Sequence, residues 1–155
     1  MPVCVIAGND TAICCFGLGE LLSLVWNNFL SNAIQFTPAG GAITVRLFLE
    51  KRAPPNPGCT ADNARFAKAG SRTPETQSFI CVSVQDTGCG MDERTKAHVF
   101  DKFFQGDTSH AAQGNGLGLA LAARVAAICG GTLSVESAPG TGSTFLFACP
   151  AQIGS

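Results

Sequence analysis

Several features that would point to other classes of protein are missing from this 155-residue sequence. No apolar run approaches the length of about 18 residues that a membrane-spanning helix needs, and the first ten residues lack the basic start of a signal peptide. There is no long basic run and the formal net charge is −1, so nucleic-acid binding has no electrostatic basis. We therefore expect a cytoplasmic domain without membrane or nucleic-acid contact, while a longer parent protein is free to carry an anchor elsewhere.

The eight cysteines contain no C-x-x-C pair, so a zinc site has little support. Most of them lie in apolar segments, as in Ile80-Cys81-Val82, and we interpret them as small buried hydrophobic residues in a reducing compartment. Because 46% of the residues are apolar, the chain is expected to form one domain with a sizeable core.

Hydrophobic periodicity predicts helices and strands in an order typical of a mixed fold. A helix is expected over residues 20–36, followed by a strand over 43–49 whose odd-numbered apolar residues face the core, and by a strand over 79–85 that pairs with it. The other predicted elements are short strands near 3–6 and 12–16, a short helix capped by Asp92, a helix over 116–129, and a hairpin of strands 132–136 and 143–148. Residues 51–77, with four prolines, read as an inserted surface loop. Helices on one face of a mixed, mostly antiparallel sheet make an α+β, two-layer sandwich.

A stripe of amide side chains follows one face of the first predicted helix. Asn28, Asn32 and Gln35 are spaced i, i+4 and i+7, which places them on the same side. Amide oxygens suit magnesium and amide NH₂ groups suit phosphate oxygens. A solvated helix face would present the same residues, so this stripe alone leaves both interpretations open.

Two glycine-rich segments could approach a ligand closely. In Asp86-Thr87-Gly88-Cys89-Gly90, a carboxylate at a strand end can accept from an exocyclic amine, although an ordinary turn has the same composition. Gly114-Asn115-Gly116-Leu117-Gly118-Leu119 runs into a helix start, whose free N–H groups favour an anion such as phosphate. No strand directly precedes the second segment and no Lys-Ser/Thr follows it, so it is neither a dinucleotide fingerprint nor a P-loop.

Five segments in order resemble the motifs of the ATP-binding catalytic domain of bacterial sensor histidine kinases, within the GHKL superfamily. They are an asparagine box at 26–38, a glycine box at 86–91, a phenylalanine box at 100–104, a second glycine box at 114–119 and a closing hairpin motif at 140–145. The resemblance covers roughly residues 17–150 apart from the insertion. It implies a Bergerat-type sandwich, a single domain over 1–155 and an ATP lid over about 105–116.

The resemblance also implies residue roles in binding Mg-ATP or ADP. Asn32 would bind Mg²⁺ and Asn28 would contact phosphate or metal-bound water, while Asp86 would accept from the adenine amino group. The resemblance implies further nucleotide contacts from the loop after Asp86, from the closing hairpin, and from the lid with its two ends. These residues are Gly88, Gly90, Thr144, Phe103, Phe104, Gly114, Asn115, Gly116, Leu117, Gly118 and Leu119. Gln35 stands where the family usually has Lys, and a lost charge-assisted contact costs on the order of 1–2 kcal/mol.

The resemblance implies that the γ-phosphate is transferred to a histidine on separate dimerisation helices, with a response regulator acting downstream. Neither His98 nor His110 lies in the family's acceptor setting, so we expect the acceptor outside this chain. Three alternatives stay open. A GHKL-type ATPase would need a Glu where Asn28 stands, an anti-sigma-factor-like serine kinase would use a protein partner, and Gln35 would suit a nucleotide-binding module with weakened catalysis.

Overall fold

The computed structural model describes residues 3–7, 11–15, 19–52, 77–104 and 116–153. The insertion predicted at 51–77 lies outside these residues except at its ends, which belong to strands. The elements in chain order are β1 (Val3–Ala7), β2 (Thr11–Cys15), α1 (Gly19–Phe36), β3 (Ile43–Arg52), β4 (Gln77–Asp86), α2 (Glu93–His98), α3 (Gly118–Ile128), β5 (Thr132–Ala138), β6 (Gly142–Pro150) and β7 (Gln152–Ile153).

Four strands form the main sheet in the order β3-β4-β6-β5, and every neighbouring pair is antiparallel. The β3–β4 and β5–β6 pairings are those predicted from the sequence. A second, small sheet has the order β1-β2-β7, and its last strand was not predicted. The sheet with its helices confirms the α+β two-layer architecture.

The hydrophobic core lies between the main sheet and the pair of helices α1 and α3. Phe29 of α1 is fully buried and its ring centroid is 5.3 Å from that of Phe145 in β6. Trp26 meets Phe147 edge-on at 5.1 Å. Val125 is the largest of the buried residues that α3 contributes. Since truncation of a buried phenylalanine costs about 3–5 kcal/mol, these aromatic contacts fix how α1 lies on the sheet.

The apolar face of β3 is not covered, which contradicts the prediction that it faces the core. Ile43, Val45, Leu47 and Leu49 are 37%, 56%, 50% and 45% exposed. Val45 lies opposite the buried Val84 of β4, so these side chains are on the helix side of the sheet. They stay exposed because α1 packs mainly on β4, and α3 on β5 and β6, so neither of these helices covers the edge strand.

The ends of the two shorter helices have clear local causes. Asp92 caps α2, as predicted, by accepting from the Thr95 N–H at 2.7 Å. Hydrogen bonds from Thr95 lower the pKa of Asp92. The third helix begins at Gly118 rather than at residue 116, because Gly116 has φ of +63° and cannot belong to a right-handed helix. None of the described helices is long and apolar enough to cross a membrane.

The cysteines are less uniform than predicted. Cys81 and Cys149 are fully buried, but Cys149 is disulfide-bonded, so its interpretation as a reduced residue is wrong. Cys81, Cys89 and Cys129 are not in disulfides, and Cys89 is exposed. Partial burial raises the pKa of the Cys129 thiol, which keeps it in the neutral form.

Candidate functional site

Asp86 is a buried carboxyl at the end of β4, with 4% of its surface exposed. Its Oδ1 accepts hydrogen bonds from the backbone N–H groups of Gly88 at 2.8 Å and Ser143 at 3.3 Å. Oδ2 accepts none from the described residues. No fully buried side-chain polar atom among those residues lacks a partner, so Oδ2 must be reachable from solvent. The carboxyl is therefore held through one oxygen and can offer the other to a donor.

The loop after β4 packs too closely to hold side chains at its glycines. A Cβ at Gly88 would lie 2.8 Å from Asp86 Oδ1 and would overlap the Phe36 carbonyl oxygen at the end of α1. Gly90 has φ of +69°, and a Cβ there would overlap the carbonyl of Ala138. These glycines are thus required by contacts within the protein, in addition to any role beside a ligand.

The β5–β6 hairpin fastens this loop. The Gly140 N–H donates to the Cys89 carbonyl at 2.7 Å, and the Met91 N–H donates to Ser137 Oγ at 2.8 Å. Because these bonds join segments that are distant in sequence, the Asp86 loop and the hairpin form one rigid unit at the end of the sheet.

The sequence pointed to Thr144 in this strand and did not identify Ser143, whose N–H donates to Asp86. Ser143 lies opposite Asp86 in the β4–β6 ladder, whereas Thr144 lies opposite Gln85. Directly opposite residues share a face and successive residues alternate, so Ser143 is on the face of Asp86 and Thr144 is on the other. A backbone N–H donor such as that of Ser143 leaves no signature in the sequence.

The amide stripe of α1 meets the start of α3. Asn28 donates from Nδ2 to the Leu24 carbonyl at 2.7 Å, and its Oδ1 lies where a Cβ of Gly118 would be. Asn32 is half-buried, and no hydrogen bond joins its side chain to another described residue. Gln35 is exposed and has an interaction of its own. The structure therefore brings Asn28 and Gly118 together, two residues 90 positions apart in the sequence.

The two ends of the predicted lid are joined. The Phe103 N–H donates to the Gly116 carbonyl at 3.0 Å, and both residues have positive φ, of 62° and 63°. The Phe103 side chain is 73% exposed, so the backbone rather than the ring makes this junction. Phe104 is half-buried, and Phe100 anchors the segment by packing against Phe145 at 6.3 Å.

The remaining predicted lid residues have different positions. Gly114 and Asn115 lie outside the described residues. Leu117 is the exposed N-cap residue of α3 and makes no side-chain capping bond. Leu119 packs against the core cluster. The first N–H groups of α3 are consequently not satisfied by a side-chain cap, and they remain available to an anion.

A continuous line of contacts runs along α1 between the two glycine-rich segments. Gly88 abuts Phe36 at one end of the line, and Gly118 abuts Asn28 at the other. Asn28 and Phe36 are eight positions apart, a separation of about 12 Å along the helix axis. Among the described residues no three His, Cys, Asp or Glu side chains cluster to hold a metal.

Comparison with known proteins shows the family of this chain. The family model for histidine kinase-, DNA gyrase B- and HSP90-like ATPases matches residues 17–153. Histidine kinase 5 of Arabidopsis thaliana is 34% identical over 142 residues, which are 88% of this chain and 15% of that protein. Sensor-like histidine kinase SenX3 of Mycobacterium tuberculosis is 36% identical over 135 residues, covering 86% of this chain and 27% of the relative. The chain thus spans well under a third of these relatives.

Solved structures share the architecture. The mycobacterial sensor histidine kinase MprB superposes with a TM-score of 0.64 at 24% identity, covering 93% of this chain and 79% of that one. Full-length ShkA in complex with AMPPNP gives a TM-score of 0.59 at 28% identity, covering 87% of this chain and 22% of that one. With a family model matched over most of its length, the chain belongs to the family of histidine kinase-, DNA gyrase B- and HSP90-like ATPases.

Proposed function

We propose that this chain binds Mg-ATP along α1 and transfers the γ-phosphate to a histidine on a separate dimerisation domain, with a response regulator as the later recipient. The observation that carries the proposal is the line of contacts on α1, with a buried carboxyl at one end and an uncapped helix start at the other. These two ends suit the two chemically different ends of one nucleotide. ShkA, a relative in fold with 28% identity, is in complex with an ATP analogue, AMPPNP.

The Asp86 end suits adenine. Asp86 Oδ2 is not engaged by the described residues, so it can accept from the exocyclic amino group of the base. Guanine presents a carbonyl at that position, and two acceptors facing each other in a partly buried pocket are unfavourable. Because Gly88 and Ser143 hold Oδ1, the carboxyl does not need to reorganise when the base enters.

The α3 end suits phosphate. The N-terminal N–H groups of this 11-residue helix have no side-chain cap, and the positive end of the helix dipole favours an anion. Asn28 keeps its amide nitrogen on Leu24, which leaves its oxygen facing Gly118. The Asn32 amide oxygen fits Mg²⁺, which takes few protein ligands and completes its shell with phosphate and water. Asn28 would contact phosphate or metal-bound water. When bound, the ion would supply positive charge to neutralise the phosphates.

Transfer to a histidine fits these residues better than hydrolysis. Activating water requires a general base, and Asn28, one turn before Asn32, cannot take a proton. An imidazole needs no such activation, so positioning and charge neutralisation suffice. His98 is engaged with Asp101 at 2.7 Å and stacks near Phe104, and we place the acceptor outside this chain.

One observation favours a second candidate, a nucleotide-binding module with weakened catalysis. Gln35 is exposed and uncharged, so it cannot give the charge-assisted phosphate contact that a lysine would. Replacing it tests this idea directly, because Gln35→Lys should raise nucleotide affinity about tenfold if the missing charge is what limits binding.

Phosphotransfer is tested by mixing the chain with separately expressed dimerisation helices of a histidine kinase and ATP labelled at the γ-phosphate. We expect acid-labile, base-stable label on the helices, lost in Asp86→Asn and retained in Glu93→Ala. Glu93 is a suitable control because its acidic side chain is exposed on α2. Rapid release of inorganic phosphate without labelled protein, or label on a serine, would contradict the proposal.

A further inference from the structure

The free edge of β3 is the feature of this fold that the nucleotide site does not explain. β3 is the edge strand of the main sheet, and in the described part of the chain no strand pairs with its outer side. Its pairing with β4 runs in one continuous register from Ile43 opposite Asp86 to Arg52 opposite Gln77. The strand therefore has no bulge, and its sequence has no proline or glycine.

Such an edge lacks most of the devices that keep strands from pairing with other chains. Natural edges are usually short, bulged, interrupted by proline or marked by inward-pointing charges. β3 is ten residues long, and its helix-side residues Val45, Leu47 and Leu49 are apolar and about half exposed. A row of backbone N–H and C=O groups that no described strand pairs with, beside an exposed apolar stripe, is a template for adding one more strand.

We propose that β3 pairs antiparallel with β3 of a second copy of this chain, with Phe48 of one copy opposite Phe48 of the other. In this register Arg46 lies opposite Glu50 of the second copy, and two-fold symmetry repeats the pair on the other side of Phe48. Directly opposite residues of opposite charge stabilise antiparallel strands. The strand is therefore complementary in charge to itself, as an isologous interface requires.

The apolar side chains fit the same register. Leu47 lies opposite Leu49 of the second copy, and its symmetry mate repeats the contact, so four leucines form one row on the helix side. Phe48 is 41% exposed and sits on the other face at the two-fold axis. Pairing would extend each four-stranded sheet into one of eight strands, with the helices of both copies on the same face.

Neighbouring registers are worse. When one copy slides by two residues in one direction, Arg46 lies opposite Arg52, which is a like-charge pair. When it slides by two residues in the other direction, Arg46 lies opposite Phe48 and both ion pairs are lost. A shift by one residue would put the helix side of one copy beside the outer face of the other, which two-fold symmetry forbids.

Arg46 forms no ion pair with another described residue. Glu50 already contacts Cys81 Sγ at 3.7 Å, on the same outer face.

Sedimentation of the full chain between about 1 and 100 μM tests the dimer. We expect a monomer–dimer equilibrium, and Leu47→Lys should raise its Kd at least about tenfold because it places a charge within the edge. Ile128→Lys, an equally drastic change at an exposed apolar position on α3, should leave the Kd unchanged. The melting temperature and its shift with Mg-ADP, measured on each variant, verify that the fold is intact.

A charge exchange tests the register. Arg46→Glu and Glu50→Arg should each raise the Kd by about tenfold, whereas the double variant should return it to within about threefold of the original value. A wild-type chain that is monomeric at the highest concentration, as when another segment or another protein takes this edge, would overturn the proposal. So would a dimer that tolerates Leu47→Lys, or a double variant that fails to recover.

Discussion

The two ends of the proposed nucleotide site are built in opposite ways. At the adenine end, Asp86 is buried and held by Gly88 and Ser143, within a loop that the β5–β6 hairpin fastens. At the phosphate end, Asn32 has no hydrogen bond from the described residues and the start of α3 lacks a side-chain cap. One end is organised before the ligand arrives, and the other offers groups that the ligand itself must satisfy. Substitutions at the adenine end should therefore lower both the stability of the fold and the nucleotide affinity. Substitutions at the phosphate end should be able to lower affinity without lowering stability.

The largest effect is expected from Gly142→Ala at the adenine end. Gly142 has φ of +92°, and a Cβ there would overlap the Asp86 carbonyl and lie 2.9 Å from Thr87 Cα. Backbone strain and the clash together should cost about 3 kcal/mol in the free energy of unfolding, measured with urea, and should abolish the stabilisation by Mg-ADP.

Gly140→Ala is the matched control for that variant. Gly140 has φ of +79° in the same turn, but a Cβ there would meet nothing within 4 Å. It should cost only about 1 kcal/mol and keep the response to Mg-ADP. Equal losses in the two variants would mean that close packing around Asp86 does not matter.

At the phosphate end, Gly118→Ala should separate binding from stability. The added Cβ would displace the Asn28 side chain, whose single hydrogen bond among the described residues, to the Leu24 carbonyl, is exposed to solvent. Alanine in place of glycine at a helix start changes stability by less than about 1 kcal/mol. We expect nucleotide affinity to fall about tenfold in isothermal titration, with unfolding nearly unchanged. Gly130→Ala, beyond the other end of α3 and with no atom within 4 Å, should show the reverse: lower stability and unchanged affinity.

Asn32→Ala should remove the dependence of nucleotide affinity on magnesium. Since the Asn32 side chain is only half-buried, stability should change by no more than about 0.5 kcal/mol. Titration of ADP with Mg²⁺ and with EDTA distinguishes the outcomes, and Asn27→Ala on the exposed side of α1 serves as control. A variant whose affinity still rises with Mg²⁺ as the wild type's does would contradict Asn32 as a magnesium ligand.

The smallest effect on stability is expected at α2, which lies between the two glycine-rich segments in the sequence. Hydrogen bonds from Thr95 lower the pKa of Asp92 in the folded state. A depressed folded pKa stabilises the protein above the unfolded pKa of about 3.9, and this contribution disappears as pH falls through the lower, folded pKa. The melting temperature of Asp92→Asn should depend less on pH in this acidic range than that of the wild type, and parallel profiles would refute the cap's contribution.

Periodicity was sufficient to predict most of the fold. The helical spacing of apolar residues gave α1 nearly to its observed ends, and alternation located β3 to β6. It could not show that the apolar face of β3 is uncovered, because a period of two indicates which side a residue faces and not whether a helix lies above it. The start of α3 was placed two residues early because a positive φ at Gly116 cannot be inferred from a glycine-rich string alone.

The candidate site was likewise predicted only in part from the sequence. Asp86, Asn28 and Gly118 were identified from side-chain chemistry and motif order, and the structure places the last two in contact. The N–H of Ser143 was missed because backbone donors are chemically the same at every residue except proline. The contact of Thr144 with the base stays a prediction. The strand register places Ser143, and not Thr144, on the same face as Asp86, and register is a property of the folded sheet.

The most direct test of the account is the change in melting temperature with Mg-ADP for the wild type and Asp86→Asn. The substitution keeps an oxygen for the Gly88 and Ser143 N–H groups and replaces Oδ2 by an NH₂ group, which cannot accept from the adenine amino group. Ligand at about 100 times its Kd should stabilise the wild type by roughly 2.7 kcal/mol. We expect this shift to disappear in Asp86→Asn while the unliganded melting temperature changes little. An equal shift in both proteins would show that adenine does not bind at Asp86.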